Sequence, residues 1–312
     1  MAPAPGEGRG VGSQMSEVNK VPVDDTDRCG EAPVWDARRG RLVWADIGAS
    51  IVYEYRPGDS AKRVVSQGLP VSGIALNRDG RFVFAGATGL HVWSKLDDHK
   101  TVVSEHDGET LNFNDIVADA AGRVYAGTLY WDDNGMQRPG KLYLIDGGGA
   151  ARVVEEGIEL SNGLSFSPDN RTLYYADSAP RVIYAYDVDG RTGALSRKRV
   201  FARVGGHEGI PDGLSVDSEG FLWCAHWYGG QVVRYDPDGK VNRRVNLPVR
   251  QVASLNFGGP DLLDLYITTA GENWPSPLAP PGYDYAAGNF GGGLYRLRLD
   301  VPGKPEHLAV FS

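Results

Sequence analysis

Cysteine is nearly absent: Cys29 and Cys224 are the only two in 312 residues. Two cysteines cannot make a disulfide framework, and they read as free, packed thiols of a reducing cytoplasm. Missing too is any run of about 18 apolar residues, which excludes a membrane-spanning helix. The opening MAPAPGEGRGVGSQMSEVNK has neither the charged nor the apolar region of a signal peptide. Basic charge is also short, since 32 Lys and Arg stand against 40 Asp and Glu, a net charge of −8. No basic run or aromatic-basic stripe tracks a phosphate backbone, so nucleic acid is excluded as a partner. A soluble cytoplasmic protein is expected, with residues 1–20 as a flexible polar segment ahead of a single domain over residues 21–312. Oligomeric state is left open.

Glycine is abundant, at 42 residues, and proline reaches 19. Between them Val, Leu, Tyr and Trp recur in short bursts, the pattern of many short strands joined by tight turns. One unit repeats: an apolar strand, a turn with Asp, Asn or Gly, and a second apolar strand ending in small residues. Its copies are VWDARRGRLVWAD (34–46), IALNRDGRFVFAGA (74–87), IVADAAGRVYAGT (116–128), LSFSPDNRTLYYADS (164–178), LSVDSEGFLWCAH (214–226) and LNFGGPDLLDLYITTA (255–270). A third stretch with period-two alternation follows each copy, as in IVYEYRPGD, VIYAYDVDG and QVVRYDPDG. With a more variable fourth strand, each unit makes one four-stranded blade, so the fold class is all-β, a six-bladed β-propeller. The terminal HLAVFS is the candidate strand for closing the ring.

Superposing the copies on their turns puts Glu31, Ser72, Asn114, Asn162, Asp212 and Ala253 at one register. The innermost strand of each blade faces the axis, so this register forms a ring at one end of the channel. Taken singly, an Asn or Asp before Gly, as at Asn162 and Asp212, builds a turn. Taken together, the two carboxylates and two carboxamides on a closed ring call for a counter-ion. This is hard-oxygen chemistry, suited to calcium, magnesium or manganese more than to zinc.

Five strings carry a resemblance: GEAPVWD (30–36), NFNDIVADAAGRVYAGT (112–128), LSNGLSFSPDNRTLYYADS (160–178), IPDGLSVDSEGFLWCA (210–225) and FGGPDLLDLYITTA (257–270). The chain resembles the SMP-30/gluconolactonase/luciferin-regenerating-enzyme (regucalcin-like) family over nearly its whole length. The resemblance implies a six-bladed propeller and hydrolysis of lactones, most often sugar lactones. It implies one divalent metal ion, calcium first, with magnesium, manganese, zinc and iron(II) as alternatives, held by Glu31, Asn162 and Asp212. It implies that Asn114 contacts substrate or completes the metal shell and that Asp115 orients its loop. Calcium does little to acidify water, so a base is needed, and Asp212 is the candidate.

Sugar-lactone members of the family often carry Arg two residues before the Asn of the N-D motif. Here that position is Asn112, whose carboxamide does not reproduce the fork of guanidinium donors. Two insertions, YWDDNGMQRPG (130–140) and GENWPSPLAPPGYDYAAGNF (271–290), bring aromatics. Trp131, His226 and Trp227, with Asp132 and Asn112, are the substrate-contact candidates beside Asn114. Either these aromatics wall the channel mouth, for a larger or less polar substrate, or they pack loops onto the propeller top. The function expected is hydrolysis of a lactone, a sugar lactone or a larger and less polar one. The alternatives are another reaction on a specialised metabolite at the same metal site, and a non-catalytic metal-binding scaffold.

Overall fold

In the computed structural model the described residues are 17–95, 98–132 and 134–312. Six antiparallel four-stranded sheets follow one another around a ring. Their innermost strands are Gly30–Asp36, Gly73–Leu76, Phe113–Ala118, Ser161–Phe166, Ile210–Val216 and Val252–Gly258, each packed against the next and the last against the first. Among the described residues the only helical element is the 3-10 turn Ile47–Ala49, and no helix is long and apolar enough to cross a membrane.

The first hairpin of each blade forms because its turn residue satisfies the backbone it reverses. Asp119 accepts from the N–H groups of Ala121 (2.9 Å) and Arg123 (3.0 Å), and Asp217 accepts from Glu219 (3.1 Å) and Phe221 (3.0 Å). These buried carboxylates are paired as well, Asp119 with Arg123 and Asp217 with Arg234. Removing either arginine would strand a buried charge. Burial then falls across each blade, from the wholly buried Ile210–Val216 to the largely exposed Val241–Asn246. The apolar rows fill the gaps between blades. Val83, Phe113 and Tyr143 pack between the second and third, and Trp223, Phe257 and Leu297 between the fifth and sixth.

Ring closure differs from the expectation. Val18–Lys20 pairs antiparallel with Tyr295–Arg298 and supplies the outermost strand of the sixth blade. The polar segment expected to be flexible over residues 1–20 therefore includes a strand, and residues 1–16 lie outside the described residues. HLAVFS does not close the ring. It runs under the channel from blade to blade, with Ala309 N donating to Leu76 O (2.8 Å) and Val310 N to Gly122 O (2.9 Å). Phe311 and Asn77 exchange bonds, Phe311 N to Asn77 Oδ1 and Asn77 Nδ2 to Phe311 O, both 2.9 Å. The channel is thus covered at this end and open at the other.

Candidate metal and substrate site

At the open end lies a cleft of about 440 Å³, and its floor carries Glu31, Asn114, Asn162 and Asp212 from four different blades. Each sits where the inner strand departs from regular pairing. The register shifts between Glu31 and Val34, Phe113 and Ile116, Ser161 and Leu164, and Pro211 and Leu214. A bulge at this point re-aims a side chain out of the sheet. The glycines after Asn162 and Asp212 are not turn residues. A Cβ on Gly163 would lie 2.4 Å from Leu214 N and 2.5 Å from Asp212 O, and one on Gly213 would lie 2.6 Å from Ser254 Cα. They let neighbouring inner strands touch, which is what gathers the ring around so narrow an axis.

Polar partners run round the ring from blade to blade. Asn114 Nδ2 donates to Ser161 O (2.8 Å) and to Asn162 Oδ1 (2.7 Å). Asn162 Nδ2 donates to Ser178 Oγ (2.8 Å), which donates to Pro211 O (2.5 Å), beside Asp212. This fixes the Asn162 carboxamide with its oxygen toward Asn114. Ser72 takes no part, because its hydroxyl donates to Phe113 O (2.8 Å), and Ala253 is buried and apolar.

The two acids are under-satisfied. Asp212 is 4% exposed, and among the described residues no donor reaches its carboxylate. Burial, then the charges of Glu31 and Asp115, hold its carboxyl well above the usual carboxylate range. Glu31 accepts one bond, from Ala32 N (3.2 Å), and burial followed by the Asp115 charge pushes its carboxyl up to about 8. Cys29 lines the same cleft, and burial, then the charges of Glu31 and Asp212, raise its thiol well above its ordinary value. Two nearly bare carboxylates and a fixed carboxamide oxygen, with no cation among them, make a donor set that fits a hard divalent ion. Such an ion takes roughly six to eight oxygens when it is calcium, leaving room for water and substrate. Among the described residues no three Cys, His, Asp or Glu side chains gather as a metal site; here the third oxygen comes from an amide.

Two other cavities lack this character. A void of about 40 Å³ below the ring holds Asp115, Glu306 and His307. Asp115 Oδ1 accepts from Ile116 N (2.7 Å), and burial lifts its carboxyl to about 7. A cleft of about 530 Å³ on the far face lies beside Trp35 and Phe257, and its buried Lys304 is paired with Glu306 at 3.4 Å.

The sequence matches the family described as "SMP-30/Gluconolactonase/LRE-like region" over residues 29–271. This chain is a member of that family. It is 37% identical over 287 residues to a pentonolactonase of Haloferax volcanii, covering 91% of this chain and 95% of the relative. It is 35% identical over 303 residues to a 6-deoxy-6-sulfogluconolactonase of Pseudomonas putida, covering 94% and 99%. Among solved structures, a luciferin-regenerating enzyme superposes with a TM-score of 0.82 at 27% identity, over 94% of this chain and 99% of that one. A calcium-binding regucalcin of Agrobacterium tumefaciens superposes at 0.79, also at 27% identity, over 93% and 96%.

Within this family member the substrate-contact candidates divide. Trp131, Asp132 and Trp227 line the cleft with Asn114, and Trp274 and Tyr228 join them. Trp131 Nε1 donates to Glu159 O (2.5 Å), and Asp132 Oδ1 accepts from Asn134 N (2.7 Å) and Gln137 Nε2 (2.9 Å). Asn112 does not line it, since its amide donates to Leu129 O (2.8 Å) and holds the strand edge. His226 does not line it either. It is wholly buried, with Nδ1 3.0 Å from Glu208 O and Nε2 3.1 Å from the Tyr235 hydroxyl, and burial lowers its pKa to about 4.

The register explains His226. It pairs opposite Pro211 as Asp46 pairs opposite Gly30 and Asp177 opposite Ser161. Asp46 accepts from Cys29 N (2.9 Å) and Arg28 N (3.0 Å), and Asp177 from Leu160 N (2.8 Å). All three pin the loop that enters an inner strand and so set the height of Glu31, Asn162 and Asp212. Asp46, Asp177 and Ser178 are positioning residues that the sequence reading missed. Their signal was the shared Ala-Asp ending of the first and fourth copies.

Proposed function

We propose that this chain hydrolyses a lactone, with one divalent ion, calcium first, held by Glu31, Asn162 and Asp212, and with Asp212 as proton acceptor. The observation that carries the reading is the buried Asp212 and half-buried Glu31, of which Glu31 accepts one protein N–H and Asp212 none, facing an open cleft in a family whose relatives are named as lactonases. When bound, the ion supplies a Lewis acid that polarises the ester carbonyl.

The remaining work falls to side chains. A water attacks the carbonyl carbon, Asp212 takes its proton, and the ring carbon–oxygen bond breaks. The same proton passes to the departing ring oxygen, leaving a hydroxy acid. Asn114 has both amide hydrogens committed, so toward substrate it offers only its carbonyl oxygen, an acceptor for a hydroxyl. Trp131, Trp227 and Trp274 shield the reacting ester from bulk water. The two buried free thiols support a reducing cytoplasm as the setting.

The test is hydrolysis by the metal-stripped chain, followed with a pH indicator, with calcium, magnesium, manganese, zinc and iron(II) added back singly. Turnover restored by an ion in the wild type and lost in Asp212→Ala is the expected result. Full turnover after stripping, or in Asp212→Ala, overturns the assignment.

A further inference from the structure

We propose that the substrate is an uncharged lactone carrying an apolar substituent, and that the Trp274–Leu278 segment is the wall that selects it. This rests on the lactone-opening reading above. The cleft is anionic on its floor and apolar on its sides. Among the described residues no Lys, Arg or His lines it, whereas Leu160, Ile210, Trp227, Trp274 and Leu278 do. A phosphate, sulfonate or carboxylate substituent would lie beside Asp132 and the apolar wall with no Lys, Arg or His side chain to offset its lost hydration, the one divalent ion being engaged by Glu31, Asn162, Asp212 and the ester carbonyl. A polyhydroxylated ring fares little better. Asn114 and Asp132 can accept from it but Asn114 cannot donate to it, and hydroxyls beyond their reach would lie against hydrocarbon.

The cations on this face are spent on the wall instead. Arg28 is paired with Glu272. Arg181 donates to Leu278 O (2.6 Å), and Arg250 donates to Asp284 O (3.0 Å) with its guanidinium 5.4 Å from the centre of the Tyr283 ring. Tyr228 OH donates to Trp274 O (2.7 Å), and the Tyr285 hydroxyl donates to Ser276 O (3.1 Å) while accepting from Ser276 N (3.2 Å). Pro275, Pro277, Pro280 and Pro281 limit the backbone between these ties. The segment is therefore an ordered wall. Its Trp274 side chain is 41% exposed at the cleft edge, so the ring gains cover when a substituent lies against it.

The test is the rate of the metal-loaded chain on γ-lactones of increasing alkyl length, on an aldonolactone and on a phosphorylated aldonolactone. The expected kcat/KM rises about fourfold per methylene until the slot is full, chiefly through KM, with the phosphorylated lactone slowest. Trp274→Ala flattens that rise and Trp274→Phe keeps most of it. Ser276→Lys, which adds a cation at the wall, raises activity on the phosphorylated lactone by up to about fivefold. Preference for the aldonolactone or the phosphorylated one in the wild type overturns the inference, as does an undiminished rise in folded Trp274→Ala. Calorimetry with alkyl lactams, which the chain would not open, separates the two claims. Lactam binding that strengthens with alkyl length, without hydrolysis of any lactone, sinks the hydrolytic reading and leaves the selectivity standing. Lactam binding indifferent to alkyl length sinks the selectivity.

Discussion

Gly163→Ala probes the packing that brings the ligand set together without replacing any ligand side chain. The added Cβ would lie 2.4 Å from Leu214 N, 2.5 Å from Asp212 O and 2.8 Å from Gly213 C, all backbone atoms of the next inner strand. No flexible side chain can yield, so the fourth and fifth blades must part by several tenths of an ångström between Asn162 and Asp212. Overpacking of this kind costs about 1–3 kcal/mol. At about 2.1 cal/mol/K per residue, unfolding 312 residues releases about 0.65 kcal/mol/K, so the melting temperature should fall by about 2–5 °C. Affinity for a divalent ion should fall further than stability, because ligand spacing is what the methyl group disturbs. Differential scanning calorimetry with and without calcium, together with calcium titration, reads both. Gly206→Ala is the control, since nothing lies within 4 Å of its Cβ and its φ is not positive. Wild-type melting and calcium affinity in Gly163→Ala would refute the close-approach argument.

In the metal-stripped chain Glu31 holds its proton up to about pH 8, whereas the unfolded chain releases it near its ordinary value of 4.5. Stability from this group is therefore present at low pH and lost as pH rises, by up to about 1.4 kcal/mol per unit. His226 works the other way, but only between its folded value of about 4 and its ordinary 6.5. From pH 6.5 to 8 Glu31 by itself should cost the stripped chain up to about 2 kcal/mol, or about 3 °C in melting temperature. Saturating calcium should flatten the slope and Glu31→Gln should lessen it, Asp212 and Asp115 being raised as well, and a flat profile in the stripped wild type would contradict it. His226→Ala should cost about 2–4 kcal/mol, since it opens a cavity and leaves Glu208 O and the Tyr235 hydroxyl without partners. KM measured well below its melting temperature should be unchanged. A KM shift without loss of stability would return His226 to the substrate site.

Most of the architecture could be read because a propeller writes the same strand–turn–strand pattern once per blade, and the register of the copies aligns Glu31, Asn114, Asn162 and Asp212 without any knowledge of the fold. What escaped depends on contacts between segments remote in sequence. Val18–Lys20 is too short and polar to announce a strand; its edge position follows from the free backbone of Tyr295–Arg298. HLAVFS has the look of a strand but finds partners under several blades instead of one. Asn162-Gly163 and Asp212-Gly213 carry a turn signature that is overruled because glycine is needed for strand contact. His226 drew attention through its neighbour Trp227, yet successive residues of a strand face opposite sides. Trp227 faces the cleft and His226 the core.

In the proposed site Glu31, Asn162 and Asp212 hold one divalent ion at the channel mouth. Anomalous diffraction from a crystal soaked in manganese tests it most directly. One strong peak is expected within bonding distance of an oxygen from each of the three side chains, absent from Asp212→Ala crystals. A peak elsewhere on the ring, or none at saturating manganese, would contradict it.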